Sequence, residues 1–147
     1  MLDHILSITA ILQMPHNGSM QPTFAEWNLW TGWAATLAGV ISGAVIGLFF
    51  QREEWLGGYS SYRRRLLRLG HISFFGLGFT NILFGLTGRV LVTVPGIAAV
   101  LMIASAITMP ICCFLAAWRT WFRILFPLPV ISATAGIVML LMNWRAQ

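Results

Sequence analysis

The sequence predicts an all-α integral membrane protein, a bundle of four transmembrane helices preceded by a short interfacial helix. Of its 147 residues, 58% are hydrophobic and 9% are charged, whereas a soluble domain carries about 25% charged residues. The charges gather in short clusters and leave apolar stretches of about twenty residues between them. Segments of alternating hydrophobicity, which indicate a membrane β-barrel, are absent from the sequence, so helices are the predicted spanning elements.

The chain begins with an apolar segment, residues 1–14, that is too short to span a bilayer. Its apolar residues recur at helical spacing, which predicts a helix lying at the membrane surface or docked on a partner. It carries Asp3 instead of a positive region and has no clear cleavage site, so we expect it not to be a signal peptide. A turn-rich linker follows over residues 15–22.

Four windows are long enough to cross a hydrocarbon core, which needs about twenty apolar residues. They cover residues 28–50, 66–87, 93–118 and 124–143, and Arg68 is the only charged residue within them. Residues 51–65 form a basic loop between the first two windows. We expect residues 1–147 to form a single transmembrane domain.

The basic residues predict an orientation. All nine are arginines, and alternating helices place seven of them on one side and two on the other. The seven are Arg52, Arg63, Arg64, Arg65, Arg68, Arg119 and Arg123, and the two are Arg89 and Arg145. Because positive residues favour the cytoplasmic side, we expect a cytoplasmic basic loop and periplasmic termini, in a bacterial inner membrane.

Small residues predict the faces on which helices pack. The first span carries Gly39, Gly43 and Gly47 at four-residue spacing, and the second carries Gly78 and Gly85. In lipid, helices associate where small residues allow their backbones to approach closely. These glycines are therefore predicted packing residues, either within the chain or against other integral-membrane subunits.

His71, Gly78 and Asn81 fall on one face of the second span and are the candidate cofactor-binding residues. Polar groups in hydrocarbon need partners, so a hydrogen bond to another helix is one interpretation of His71. Ligation of haem or (bacterio)chlorophyll is the second, with Gly78 admitting a flat macrocycle. Contact with a quinone is the third.

Four arginines, Arg63, Arg64, Arg65 and Arg68, form a compact cluster after the first span. Arginines at a bilayer surface attract anionic lipid headgroups, and we predict lipid binding there. A general positive anchor and docking to an acidic subunit are the alternatives. Nucleic acid is not an expected partner, because anionic lipid competes for the same charges.

The sequence lacks the parts of an enzyme. Its four acidic residues lie outside the predicted spans, and no catalytic triad, phosphate loop or metal-ligand spacing is present. We therefore expect a non-catalytic accessory or scaffold subunit of a larger membrane assembly, with a respiratory or photosynthetic electron-transfer complex as the favoured host. One alternative is a haem-, chlorophyll- or quinone-binding membrane anchor that uses His71. A small oligomeric transporter is the other.

Overall fold

The computed structural model describes residues 23–91 and 94–145, and within these ranges every regular element is helical. Four long helices follow one another: α1 (Phe24–Phe50), α2 (Tyr62–Val90), α3 (Gly96–Trp118) and α4 (Pro127–Arg145). Two short 3₁₀ helices, η1 (Trp55–Gly57) and η2 (Thr120–Leu125), follow α1 and α3. Four helical segments are long and apolar enough to cross a bilayer, the fourth including η2. The predicted interfacial helix over residues 1–14 lies outside the described residues.

Polar caps extend the first two helices beyond the apolar windows. α1 starts at Phe24 because Thr23 and Glu26 form a capping box, in which the Thr23 side chain accepts the Glu26 N–H at 3.4 Å and the Glu26 carboxylate accepts the Thr23 N–H at 3.1 Å. α2 starts at Tyr62, and the Ser61 hydroxyl accepts the Arg64 N–H at 3.3 Å. Hydropathy alone places both starts four residues too late.

Prolines set the later starts of the other two helices. α3 begins directly after Pro95, and α4 begins with Pro127. Proline is favoured at a helix start because the first-turn N–H groups have no intrahelical partner, so the N–H that proline lacks is not needed there. Proline also disfavours helical geometry in the residue before it. The third and fourth helices therefore start three residues after the predicted positions 93 and 124.

Neighbouring helices run antiparallel around a central α3. Gly32 of α1 lies against Gly78 of α2, and Asn81 of α2 bonds to the Met102 carbonyl of α3. On the other side of α3, Gly136 of α4 packs on Met102. α3 contacts all three other helices, whereas α4 packs mainly on α3.

The antiparallel order separates the arginines between the two ends of the bundle. We call the arginine-rich end the one at which α1 and α3 finish and α2 and α4 begin. It carries Arg52, Arg63, Arg64, Arg65, Arg68, Arg119 and Arg123. Arg89 and Arg145 lie at the opposite end, where Arg89 and Glu26 form an ion pair of 3.9 Å between α2 and α1.

The buried core is narrow and built from small side chains, whereas many large apolar side chains face outward. Ala98, Ala99 and Met102 of α3 are almost completely buried, and Phe84 of α2 packs against them. By contrast, Leu48 is 79% exposed and Val90 is 84% exposed. Small residues in the core let the helices approach closely, and an apolar shell surrounds them.

Candidate functional site

Two glycines bring the backbones of α1 and α2 into direct contact. A Cβ placed on Gly32 would lie 2.6 Å from the Gly78 carbonyl oxygen, and a Cβ on Gly78 would lie 3.0 Å from the Gly32 carbonyl oxygen. Gly85 is confined in the same way, because its Cβ would lie 2.6 Å from the Ala25 carbonyl oxygen. Gly78 and Gly85 therefore serve contacts within the chain, and larger side chains would push the two helices apart.

The predicted glycine stripe of α1 divides into two parts. A Cβ on Gly39 would meet the Phe75 ring at 2.8 Å, and one on Gly43 would meet the His71 ring at 2.5 Å. A Cβ on Gly47 would meet nothing within 4 Å in the described chain. Each four-residue step turns the position by about 40° around the helix, which carries Gly47 off the contact line with α2.

His71 lies between α2 and α1 and is hydrogen-bonded to Ser42. The Ser42 hydroxyl donates to the Gly39 carbonyl at 3.0 Å, and its oxygen lies 3.2 Å from His71 Nδ1. Because the single hydroxyl hydrogen is used on Gly39, the oxygen accepts from an Nδ1–H group. In this arrangement Nδ1 carries a hydrogen, and Nε2 has no hydrogen-bond partner among the described residues.

Asn81 belongs to a different cluster. Its Oδ1 accepts from Asn28 Nδ2 at 2.8 Å, and its Nδ2 donates to the Leu77 carbonyl at 2.9 Å and the Met102 carbonyl at 3.0 Å. Asn28 Nδ2 also lies 3.2 Å from the Ala99 carbonyl, so the amide pair links three helices. Both amide hydrogens of Asn81 are engaged, and ten residues separate it from His71, about 15 Å along α2. His71 and Asn81 therefore do not line a common site.

Asn28 is fully buried, although the sequence did not identify it as a functional residue. In the sequence it is a single amide at the edge of an apolar window, and its partner lies 53 residues away. An isolated sequence does not disclose that pairing, because polar residues near a span end are also common at the water interface. In the described structure Asn28 Oδ1 is buried and accepts no hydrogen bond.

The arginine cluster contains members with different surroundings. Arg64 is 3% exposed; its guanidinium lies 5.4 Å from the centre of the Trp55 ring and 5.9 Å from that of Phe50, and it donates to the Arg52 carbonyl. Arg68 is partly buried and lies 5.1 Å from the Tyr59 ring. Arg63 and Arg65 are exposed. Of the four predicted lipid-binding residues, Arg64 is thus turned into the loop.

Two surface depressions are lined by these elements. The first, which we call the Arg63 cleft, has a volume of about 360 Å³ at the arginine-rich end, and its lining is Leu56, Arg63, Leu67, Phe114, Ala117 and Trp118. The second, the α2–α4 groove, has a volume of about 470 Å³. Its small lining residues are Ser73, Gly76 and Thr80 of α2 with Pro129, Ala133 and Thr134 of α4. A Cβ on Gly76 would meet no atom within 4 Å in the described structure.

Within residues 23–91 and 94–145, no three His, Cys, Asp or Glu side chains come close enough together to hold a metal ion. Comparisons with protein-family models, with curated proteins and with solved structures found no match to this chain.

Proposed function

We propose that this chain is an integral membrane protein that acts as a non-catalytic accessory subunit of a larger membrane assembly. The main support for this proposal is the α2–α4 groove, an apolar surface groove with small lining residues that is open on the outside of the bundle. A neighbouring subunit places one of its helices there, and the chain contributes shape and contact to the assembly.

The distribution of polar and apolar groups supports the membrane location. Leu48, Val90 and Trp30 each expose more than 70% of their surface. Exposing this apolar surface to water is unfavourable, whereas contact with hydrocarbon is not. Several hydroxyl side chains bond to a carbonyl of their own helix, as in Thr80, whose hydroxyl donates to the Gly76 carbonyl at 2.7 Å. Such internal bonds are required where lipid offers no partner. By the positive-inside rule the arginine-rich end faces the cytoplasm of a bacterial inner membrane.

The groove is suited to a helix because its small residues come from both of its sides. Gly76 is exposed and leaves the α2 backbone accessible, and Ala133 contributes a small, partly buried side chain on α4. Helices in lipid associate by close backbone approach at small residues. Gly47 provides a second position of this kind on α1, since a Cβ there would meet nothing in the described chain.

The open glycines allow a sharp experiment. Gly76→Leu and Gly47→Leu add bulk where the chain itself has room, so the bundle folds while a partner helix is excluded. Gly78→Leu would break the bundle itself and tests nothing about partners. The tagged chain is extracted from its native membrane in mild detergent, sized on native gels and analysed by mass spectrometry.

We expect the unsubstituted chain to migrate in a large complex and at least one open-glycine variant to migrate alone. Ala34→Leu is the matched control, because Ala34 is an exposed α1 residue outside the groove. Recovery of redox subunits supports a respiratory or photosynthetic electron-transfer complex as the host. A chain that migrates alone without substitution, or a complex that survives both variants, would refute the accessory role.

A membrane anchor for haem, chlorophyll or quinone is the second candidate, and the His71 geometry favours it. A metal-ligating histidine commonly donates from its other ring nitrogen to a fixed acceptor, and Ser42 accepts from Nδ1 in that manner. The unpartnered Nε2 then supplies the ligand. An absorption spectrum of the purified chain decides: a Soret or chlorophyll band that disappears in His71→Ala supports the anchor, and a band that persists, or no band at all, refutes it.

A further inference from the structure

We propose that the Arg63 cleft binds one anionic glycerophospholipid, with the phosphate on the Arg63 guanidinium and an acyl chain along the apolar wall. The inference rests on the proposed membrane location, and it names a specific lipid-binding residue within the arginine cluster.

The loop that forms one side of the cleft is held in place by internal contacts. The Arg64 guanidinium, buried between Phe50 and Trp55, ties the loop after α1 to the start of α2. η1 lies within this attached loop. Its Leu56 has a left-handed conformation, with φ of 56°, and lines the cleft. The cleft is thereby preformed, and binding does not have to order the loop.

The two walls of the cleft differ in chemistry. Arg63 supplies the single charged side chain among its lining residues, and in the described structure no carboxylate pairs with it. Leu67 on α2 and Phe114 on α3 supply the apolar wall of the same cleft. Trp118 stands at the last residue of α3 and is 79% exposed, a position typical of indoles at a membrane interface.

A phospholipid matches this combination. Guanidinium groups bind phosphate with two parallel hydrogen bonds, and the aliphatic chain covers Leu67 and Phe114. Six further arginines at the same end favour a net negative headgroup over a zwitterionic one. A helix of an acidic subunit would need broader apolar contact than six lining residues offer, so we assign the cleft to lipid.

Quenching of tryptophan fluorescence by brominated lipid tests the assignment. The full chain is reconstituted in phosphatidylcholine vesicles that contain a minor fraction of brominated phosphatidylglycerol, or the same fraction of brominated phosphatidylcholine. We expect stronger quenching by the brominated phosphatidylglycerol. Trp118→Phe should remove that excess, whereas Trp30→Phe, at the opposite end of the bundle, should leave it.

Arg63→Gln should reduce the apparent preference for phosphatidylglycerol at least tenfold, because it removes a charge-assisted hydrogen bond to the phosphate, and Arg65→Gln should reduce that preference less. Arg65→Gln is the matched control, because it removes the same charge two residues away on α2 and does not line the cleft. Equal quenching by the two lipids in the unsubstituted chain, or equal losses in the two variants, would overturn the proposal. The second outcome would indicate a general positive anchor. If Arg63→Gln yields little folded protein, the Trp118→Phe result decides alone.

The outcome is independent of the accessory role. The quenching experiment uses the isolated chain and reports lipid selectivity, whereas the native-gel experiment reports partner subunits. A chain without lipid preference that still migrates in a complex would refute the cleft assignment alone.

Discussion

Asn28 Nδ2 lies 2.8 Å from Asn81 Oδ1, and both side chains are completely buried. The pair joins α1 to α2, and each residue also donates to an α3 carbonyl, Ala99 for Asn28 and Met102 for Asn81. It is the point at which the three helices that form most of the core are connected by side-chain hydrogen bonds. A polar contact of this kind fixes which helix faces meet, because any other packing would leave two amides in an apolar environment.

The first prediction concerns this pair. In a double-mutant cycle with Asn28→Ala and Asn81→Ala, we expect the two residues to be coupled by about 0.5–1.5 kcal/mol, the range found for hydrogen bonds between membrane helices. The measurement is reversible unfolding in mixed detergent micelles. Thr134→Val, a substitution at an exposed position of α4, is the control and should change the free energy of unfolding by close to zero. Additive effects of the two asparagine changes would show that the bond does not contribute to stability.

The second prediction compares two glycines on the same helix. Gly78→Ala should lower the free energy of unfolding by about 1–3 kcal/mol, because its Cβ would press on the Gly32 carbonyl oxygen 3.0 Å away. Gly76→Ala meets open space and should be neutral or stabilising by up to about 1 kcal/mol, since alanine favours the helix. The same unfolding assay measures both, and similar losses in the two variants would contradict the packing described for α1 and α2.

The third prediction concerns the position of the hydrogen on the His71 ring. Since the Ser42 hydroxyl donates to Gly39 and its oxygen faces His71 Nδ1, nitrogen NMR of the labelled imidazole should show a hydrogen on Nδ1. Ser42→Ala removes the acceptor and should shift the population toward the Nε2–H form. Ser132→Ala, whose hydroxyl bonds to the Leu128 carbonyl instead, should leave the His71 signals unchanged. An Nε2–H form in the unsubstituted chain would show that Ser42 donates to His71, which removes the free ligand nitrogen.

The fourth prediction concerns the attachment of the loop after α1. Arg64→Ala removes the contacts with Trp55 and Phe50 and should release the exposed residues Glu53 and Glu54. Two cation–π contacts with a buried guanidinium are worth about 1–2 kcal/mol, so cleavage by a glutamate-specific protease should accelerate about tenfold.

Arg65→Ala serves as the control for this loop, since Arg65 is exposed and carries the same charge. Arg64→Lys keeps the charge but loses the planar group that stacks on Trp55, so it should restore the original rate only in part. Identical cleavage rates in Arg64→Ala and Arg65→Ala would contradict the inward orientation of Arg64.

Much of the fold was accessible from the sequence, because hydropathy windows report directly on helices of this length. The helix starts at Phe24 and Tyr62 were missed, since the hydroxyl caps Thr23 and Ser61 extend the helices into polar sequence that hydropathy excludes. Which face of a helix contacts its neighbour was harder to predict than how long the helix is. The spacing of Gly39, Gly43 and Gly47 is regular, yet Gly47 turns away from α2.

Pairing between distant residues was beyond the sequence for a physical reason. Asn81 lies on the predicted polar face of α2, but its partner Asn28 depends on how two helices are rotated about their axes. Arg64 illustrates the same limit, because four clustered arginines look equivalent until the position of Trp55 is known. Local periodicity predicts which residues share a face, and the rotation of neighbouring helices decides what they contact.

Labelling of single cysteines by a membrane-impermeant maleimide tests the proposed topology, in which four helices span the membrane and the arginine-rich end faces the cytoplasm. The native Cys112 and Cys113 are buried and should give little background. In intact bacterial cells, Val90→Cys should be labelled, whereas Ser60→Cys and Thr120→Cys should be labelled only after the cells are permeabilised. Labelling of Ser60→Cys and Val90→Cys from the same side of the membrane would contradict this topology.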